Sequence, residues 1–329
     1  PGPAARGRAV TDLRVGIVGA GGIAPPHIAA WLEIGAEISI LDRRGAAALA
    51  AQHGLTLVPT LDELIDAVDV VDIISPTSTH TAIALAAIAR GRDVVCEKPL
   101  ALTAAEAADI VRAASEAGVR LFPAHVVRYF GDYARAKQEV DAGVIGDLVE
   151  LTFRRTVAAP AVAWFYDQDS GGGIIRDLMI HDLDQAVWFA GPVARVSATQ
   201  TPPADGSLVT PPVSAEVVLE HVSGAVSRVR ADWAEPGTPF HSRAELFGTR
   251  GVLRVDSAGD TGDAGYLPPA SDTDPYLTQL ADFVAARVEQ RDTRVTPADG
   301  LRAVALVDAA YAALASAGAV PGPSAPSGP

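Results

Sequence analysis

A single cysteine, Cys96, occurs in 329 residues, which excludes an internal disulfide and a cysteine-rich zinc site. Aromatic residues make up only 5% of the chain, so the core must be built mainly from alanine, valine and other aliphatics. Positive charge is also scarce: 26 Lys and Arg stand against 40 Asp and Glu, giving a net charge of −14. A polyanionic partner would be repelled over the whole surface, which argues against nucleic acid and anionic membrane. No long apolar run is uninterrupted. The nearest, Ala303–Val320, is mostly alanine and contains Asp308, Tyr311 and Ser316, which suits a packed helix better than a membrane span. Arg6 and Arg8 are followed by no apolar stretch, so residues 1–10 do not read as a signal peptide. A reducing cytoplasm is the expected location.

What is present is ample core material, with 49% hydrophobic and 20% charged residues, and enough length for about two domains. Residues 1–11 and 319–329 are expected to be flexible tails rich in Pro, Gly, Ser and Ala. From Leu13, short apolar runs alternate with helical stretches, as in βαβ units with a parallel sheet. The runs are Leu13–Val18, Glu37–Leu41, Val70–Ile74, Val94–Cys96 and Arg120–Pro123. Helices are expected over Ile23–Ile34, Ala46–His53, Thr79–Ala89 and Ala104–Ala117, the last opened by a Thr103/Glu106 capping box. After about Tyr129, one more helix (Tyr133–Ala142) gives way to strand-like runs at Leu148–Val157, Val193–Gln200, Val213–Glu220, Ala225–Trp233, Ala244–Phe247 and Gly251–Val255. Hairpin turns are expected at Val222–Gly224 and Thr249–Gly251, and helices at Gly173–Phe189, Tyr276–Gln290 and Pro297–Ala315. The expected fold is therefore α/β: a doubly wound parallel sheet over 12–128, then an α/β domain over 129–318 with a large, mostly antiparallel sheet. Thr201–Pro212 and Asp256–Asp274 are expected to be surface excursions.

Gly19-x-Gly21-x-x-Ala24 follows a strand and opens a helix, the context of a dinucleotide-binding turn. Gly19, Gly21, Gly22 and Ile23 are its candidate pyrophosphate contacts. Asp42 ends the second run, where a carboxylate can hold ribose hydroxyls and disfavour a 2′-phosphate. Arg43 and Arg44 follow directly and could instead grip that phosphate, so NAD is expected first and NADP stays possible. Ser75, Pro76, Thr77 and His80 follow the third run and could meet ribose or nicotinamide; alternatively Thr79 caps a helix and His80 is a first-turn residue. His27 could lie near the pyrophosphate. Cys96 reads as a small buried hydrophobe.

Asp93-Val94-Val95-Cys96-Glu97-Lys98-Pro99 is an apolar run that ends in a charged pair followed by proline. Ligands of open parallel sheets bind outside the carboxyl ends of the strands. Glu97 and Lys98 would thus share a crevice with the glycine turn. Further on, Gly171-Gly172-Gly173 leads into Asp177, His181 and Asp184. In a regular helix Asp177 and His181 would share a face, and a histidine beside a carboxylate is biased toward accepting a proton. A surface ion pair or a divalent-metal face would use the same spacing, but a metal wants more ligands. The triple glycine after Trp164-Phe165-Tyr166 could let a loop close over a ligand, or those aromatics could be core. His125 and Arg128, just past the last run of the parallel sheet, could line the cleft.

These residues together resemble the glucose–fructose oxidoreductase / inositol dehydrogenase / MocA-like family over about residues 12–318. The marks are Val15–Ala24, Glu97-Lys98-Pro99, Gly172-Gly173-x-x-x-Asp177-x-x-x-His181-x-x-Asp184, Phe247–Gly251 and Thr296–Leu301. Ala24 stands where the fingerprint's third glycine is usual. The resemblance implies a Rossmann domain, an α/β domain that forms homodimers or homotetramers through its sheet, and a cis Lys98–Pro99 peptide. It further implies NAD(P)-dependent hydride transfer on a sugar, inositol or related polyol, with Lys98, Asp177 and His181 as the catalytic group. His181 would then be the base, steadied by Asp177, with Lys98 on the reacting oxygen; the two roles could also be exchanged. His125, Arg128, Trp164 and Asp184 are candidate substrate contacts, and no metal is expected. Two rivals are a glycoside-cleaving enzyme that uses NAD⁺ without net redox change, and a non-catalytic dinucleotide sensor.

Overall fold

The computed structural model describes residues 13–41, 43–167, 169–203, 211–257, 274–316 and 318–323. Asp42, most of the two expected excursions and the outermost tail residues lie outside them.

The first half alternates strand and helix: β1 (Arg14–Val18), α1 (Ala24–Ile34), β2 (Glu37–Leu41), α2 (Ala46–His53), β3 (Thr56–Val58), α3 (Leu61–Ala67), β4 (Val70–Ile73), α4 (His80–Ala89), β5 (Asp93–Glu97), α5 (Ala104–Ala117) and β6 (Leu121–Ala124). The six strands form one parallel sheet in the order β3-β2-β1-β4-β5-β6. Strand order reverses between β1 and β4, the point at which a doubly wound sheet opens its ligand crevice. The inner strands are buried on both faces and so read as apolar runs. Edge strand β3, only three residues long with Thr56 and Leu57 exposed, has no such run. The Thr103/Glu106 capping box is formed in full.

The second half contains α6 (Gly131–Asp141), β7 (Leu148–Ala158), a π-helical turn (Ile175–Met179), α7 (Ile180–Ala190), β8 (Val193–Thr201), β9 (Val213–His221), β10 (Val226–Ala234), β11 (His241–Gly248), β12 (Gly251–Asp256), α8 (Pro275–Glu289), α9 (Pro297–Ser316) and β13 (Val320–Pro321). Its seven strands are ordered β12-β11-β7-β10-β9-β8-β13. Only β7 and β10 pair in parallel; every other pair is antiparallel. Both expected hairpins join antiparallel neighbours. Inward residues alternate along β9 and β7, where Leu151, Phe153, Arg155 and Val157 face the interior.

Besides β3 and α3, which were not among the expected elements, two regions depart from the expectation. Val320 and Pro321, assigned to a tail, extend the sheet because the edge of β8 offers free backbone groups, one of which accepts from Gly322 N–H at 2.8 Å. The helix expected from Gly173 is not regular, since residues 175–179 form a wider π turn. Helix α8 returns to the first sheet: Phe283 meets Trp31 of α1 and Phe122 of β6 edge-on, at centroid distances of 5.8 and 3.8 Å.

Candidate active site

The glycine turn leaves β1 at the switch point. Gly19 has φ +132°, and a Cβ there would lie 2.6 Å from the Ile74 carbonyl carbon and oxygen, so only glycine lets the loops after β1 and β4 meet. No atom lies within 4 Å of where Cβ atoms of Gly21 and Gly22 would stand, an open cradle of bare backbone. Pro25 and Pro26 carry no N–H. The donors this turn can offer an anion are therefore those just before them, together with the positive end of α1. The residues present thus fit a dinucleotide pyrophosphate.

Lys98 follows β5 on the same sheet edge, and its peptide bond to Pro99 is cis. Its ammonium donates to Asp177 Oδ1 at 3.1 Å and to the Asp177 carbonyl at 2.8 Å, with both side chains nearly buried. The π turn that carries Asp177 thereby joins the two halves of the chain at the crevice. The pocket around the pair is lined by Ile23, Glu97, Lys98, Val126, Val127, Phe130, Arg155, His181, Phe240 and Tyr276.

His181 differs from the expectation. Among the described residues neither ring nitrogen has a hydrogen-bond partner, and none is Asp177. The extra residue in the π turn removes the regular helical register, and Asp177 is spent on Lys98. Burial, followed by the positive charges of Lys98 and Arg155, pushes the His181 pKa well below the usual range. The ring rests neutral in the pocket wall.

Other expected contacts lie behind the pocket. Arg128 and Asp184 form a buried bidentate pair, Nε to Oδ2 at 2.8 Å and Nη2 to Oδ1 at 2.6 Å. His125 Nδ1 stands 3.8 Å from the same carboxylate. Trp164 stacks on Phe165 at 3.9 Å and is not among the residues that line the pocket. The triple glycine is a packing device, because a Cβ on Gly171 would lie 2.5 Å from the Trp164 carbonyl. Ser75 and Thr79 share a hydroxyl hydrogen bond of 2.6 Å, and the Thr79 hydroxyl also donates to the Pro76 carbonyl. His80 is buried, its ring nitrogens 2.8 Å from the carbonyl oxygens of Ser75 and Pro99, so it ties together the loops after β4 and β5. Among the described residues no group of three or more His, Cys, Asp or Glu could hold a metal.

His27 is fully buried rather than facing a pyrophosphate. Its Nδ1 lies 2.8 Å from Asp72 Oδ2 and its Nε2 3.2 Å from Glu97 Oε1. Burial opposes a charge there, but the two carboxylates outweigh it and raise the pKa from 6.5 to about 10. Between about pH 6.5 and 10 the folded protein therefore binds more protons than the unfolded chain. The stability His27 contributes is complete below the lower value and is lost as pH rises through the upper one. A thermal midpoint that falls across this window, and a fall that flattens in His27→Gln, is the expected calorimetric result.

Arg155, Phe240, Tyr276 and Asp72 escaped the sequence reading. Arg155 was signalled by its inward phase in β7, and Asp72 by a charge inside the apolar run Val70–Ile73.

Comparisons with known proteins identify the family. The oxidoreductase family with an NAD-binding Rossmann fold, GFO_IDH_MocA, matches residues 13–125, and the GFO/IDH/MocA C-terminal domain matches residues 133–254. Inositol 2-dehydrogenase of Rhizobium meliloti (strain 1021) is 28% identical, over 92% of this chain and 97% of that protein. D-xylose 1-dehydrogenase (NADP(+)) 2 of Haloferax volcanii is 30% identical, over 94% and 99%. The crystal structure of GenD2 from gentamicin A biosynthesis, in complex with NAD, superposes with a TM-score of 0.86 at 26% identity, covering 98% of this chain and all of that one. Net redox chemistry is favoured over both rival readings. The chain belongs to the Gfo/Idh/MocA family and is an NAD(P)-dependent oxidoreductase acting on CH–OH groups.

Proposed function

We propose that the protein moves a hydride between the nicotinamide and a secondary alcohol or ketone of a sugar, inositol or related polyol, with Lys98, Asp177 and His181 as the reacting group. The observation that carries this reading is the Lys98–Asp177 pair, 3.1 Å apart, with Lys98 and His181 lining one pocket. Bound NAD supplies the hydride acceptor, or the donor when reduced. Gly19, Gly21, Gly22 and Ile23 would hold its pyrophosphate, Asp42 and Arg43 its adenosine ribose, and Ser75, Pro76, Thr77, Glu97 and Lys98 would border its nicotinamide half. His80 acts from behind, by holding two of those loops together.

Asp177 stabilises the ammonium of Lys98, which suits that group to hydrogen-bond the reacting oxygen and offset its developing negative charge. His181, neutral and without a partner among the described residues, then accepts the hydroxyl proton. Its low proton affinity opposes proton uptake and favours proton return, so the arrangement suits reduction of a ketone, or an exchange of roles with Lys98 in the oxidative direction. Arg128, Asp184 and His125 support the wall from the interior. A panel of inositols, aldoses and keto-sugars, each with NAD and NADP and followed at the nicotinamide absorbance, tests this reading. Turnover with at least one member is expected; tight cofactor binding with no redox change across the panel would sink it.

We further infer a division at 12–128 and 129–318, which keeps the six-stranded sheet within the first unit and all of the seven-stranded sheet but its short edge strand β13 within the second. The seven-stranded sheet is the proposed homodimer or homotetramer face. Its outer side carries cross-strand ion pairs such as Arg254–Glu245 at 2.8 Å and Arg228–Glu150 at 3.2 Å, groups that can pair across a two-fold axis. Light scattering reads the assembly, and a monomeric mass would remove this inference. A cytoplasmic location accords with the one buried, unpaired thiol of Cys96, and cell fractionation checks it.

A further inference from the structure

The chemistry above makes no use of a charged chain of side chains buried beneath the Glu97–Lys98 turn. It starts at Asp72 in the middle of β4, a fully buried carboxylate in a central strand. Oδ2 of Asp72 receives Trp31 Nε1–H at 2.7 Å and faces His27 Nδ1, while its other oxygen has no partner among the described residues. The far side of the His27 ring faces Glu97 Oε1, and Glu97 Oε2 accepts the backbone N–H of Lys98 at 3.0 Å. An unbroken line of contacts therefore runs from the sheet interior, through α1, to the main chain of Lys98.

Two carboxylate oxygens on the two ring nitrogens call for two N–H donors, which only the imidazolium has. Asp72 of β4 and Glu97 of β5 face the ring, the Tyr276 ring of α8 lies at a centroid distance of 5.7 Å, and Trp31 of α1 reaches it only through Asp72. A cation between two anions in a dry site is far stiffer than a surface pair. An isolated carboxylate in a central strand is costly, and a valine would serve the packing there without that cost.

We propose that His27, clamped by Asp72, is a positioning residue for the reaction: it grips Glu97 and so fixes the backbone from which Lys98 reaches the substrate oxygen. Lysine is a long, flexible side chain, and Asp177 holds its far end. The His27–Glu97 clamp holds the near end. With both ends held, little rotamer freedom remains to be lost as substrate binds, and Nζ is set in place beforehand. This inference rests on the reading of Lys98 as a reacting residue.

The test uses the full-length, cofactor-loaded protein with the substrate that the panel identifies. His27→Gln should lower kcat by about 10- to 100-fold, the scale of a misplacement near 1 Å, with the KM for the nicotinamide cofactor within about threefold of wild type. His221→Gln is the control, since His221 is also buried, with its ring nitrogens 2.8 Å from the Gly191 carbonyl and the Ser227 hydroxyl. It should lose thermal stability and keep kcat. Equal kcat losses in the two variants would make His27 merely structural and overturn the proposal. The double variant of Lys98→Ala with His27→Gln should be no slower than Lys98→Ala alone, because His27 acts through that lysine. A further loss would overturn it. Full turnover in Lys98→Ala removes both this inference and the site reading, whereas full turnover in His27→Gln beside an inactive Lys98→Ala removes this one alone. Should His27→Gln fail to fold, the wild type still decides. At pH 8, nitrogen-detected NMR should show both ring N–H groups of His27, and a ring with a single N–H would refute the clamp.

Discussion

Lys98→Ala is expected to lose about 10²- to 10⁴-fold in turnover, the range for removing a positioned proton-handling or oxyanion-stabilising group. Two effects combine in that variant. The reacting oxygen loses its cationic partner, and the Asp177 carboxylate, 3.1 Å from Nζ in the wild type, is left facing the position where negative charge develops. Dinucleotide affinity should change little, because the glycine turn and the loop after β4 remain intact. Lys98→Arg should not rescue, since a planar guanidinium fork cannot occupy the place of a compact ammonium held by one carboxylate and one carbonyl. The control is Lys137→Ala. Lys137 is the only other lysine in the chain and pairs with Asp141 on α6. Single-turnover rates with fluorescence titration of the reduced dinucleotide separate chemistry from binding. Turnover of Lys98→Ala within twofold of wild type would take the residue out of the mechanism.

The second large effect is on stability. Asp184→Ala removes the bidentate partner of the Arg128 guanidinium, whose side chain is 3% exposed and which keeps only Asp299, 3.2 Å from Nη1, as a carboxylate among the described residues. Breaking one partner of a buried pair costs about 3–5 kcal/mol. With an unfolding entropy of about 2.1 cal/mol/K per residue, a chain of 329 residues shifts by about 1.5 °C per kcal/mol, so the thermal midpoint should fall by roughly 4–7 °C. The folded fraction should keep its substrate KM, because the pair lies behind the pocket wall. A KM raised tenfold at an unchanged midpoint would make Asp184 a substrate contact instead.

The strands of the first sheet were legible because parallel strands buried on both faces leave continuous apolar runs, as in Val70–Ile73 and Val94–Cys96. The crevice was legible for a related reason: a glycine turn and a lysine at strand ends can only face one edge of such a sheet. The relation of Asp177 to His181 was not. Regular helical spacing puts them on one face, but a π turn leaves no compositional trace, and Asp177 goes to Lys98. His27 was misread because its partners Asp72 and Glu97 lie 45 and 70 residues away, beyond any local pattern. The parallel pairing of β7 with β10 was hidden likewise, since each strand alternates as an antiparallel one would. Arg155 and Asp72 were within reach, the first by its phase in β7 and the second as an unexplained charge in a central strand.

The return of α8 to the first sheet has a consequence for synthesis. Ribosomes deliver the chain from its N-terminus, so all six parallel strands emerge well before Pro275. Until α8 follows, Trp31 and Phe122 lack the Phe283 ring that meets both, and the pocket lacks its Tyr276 wall. A nascent or prematurely terminated chain thus carries an uncovered aromatic patch beside an already formed glycine turn. Such a chain should expose those two rings and lack the Tyr276 wall of the pocket.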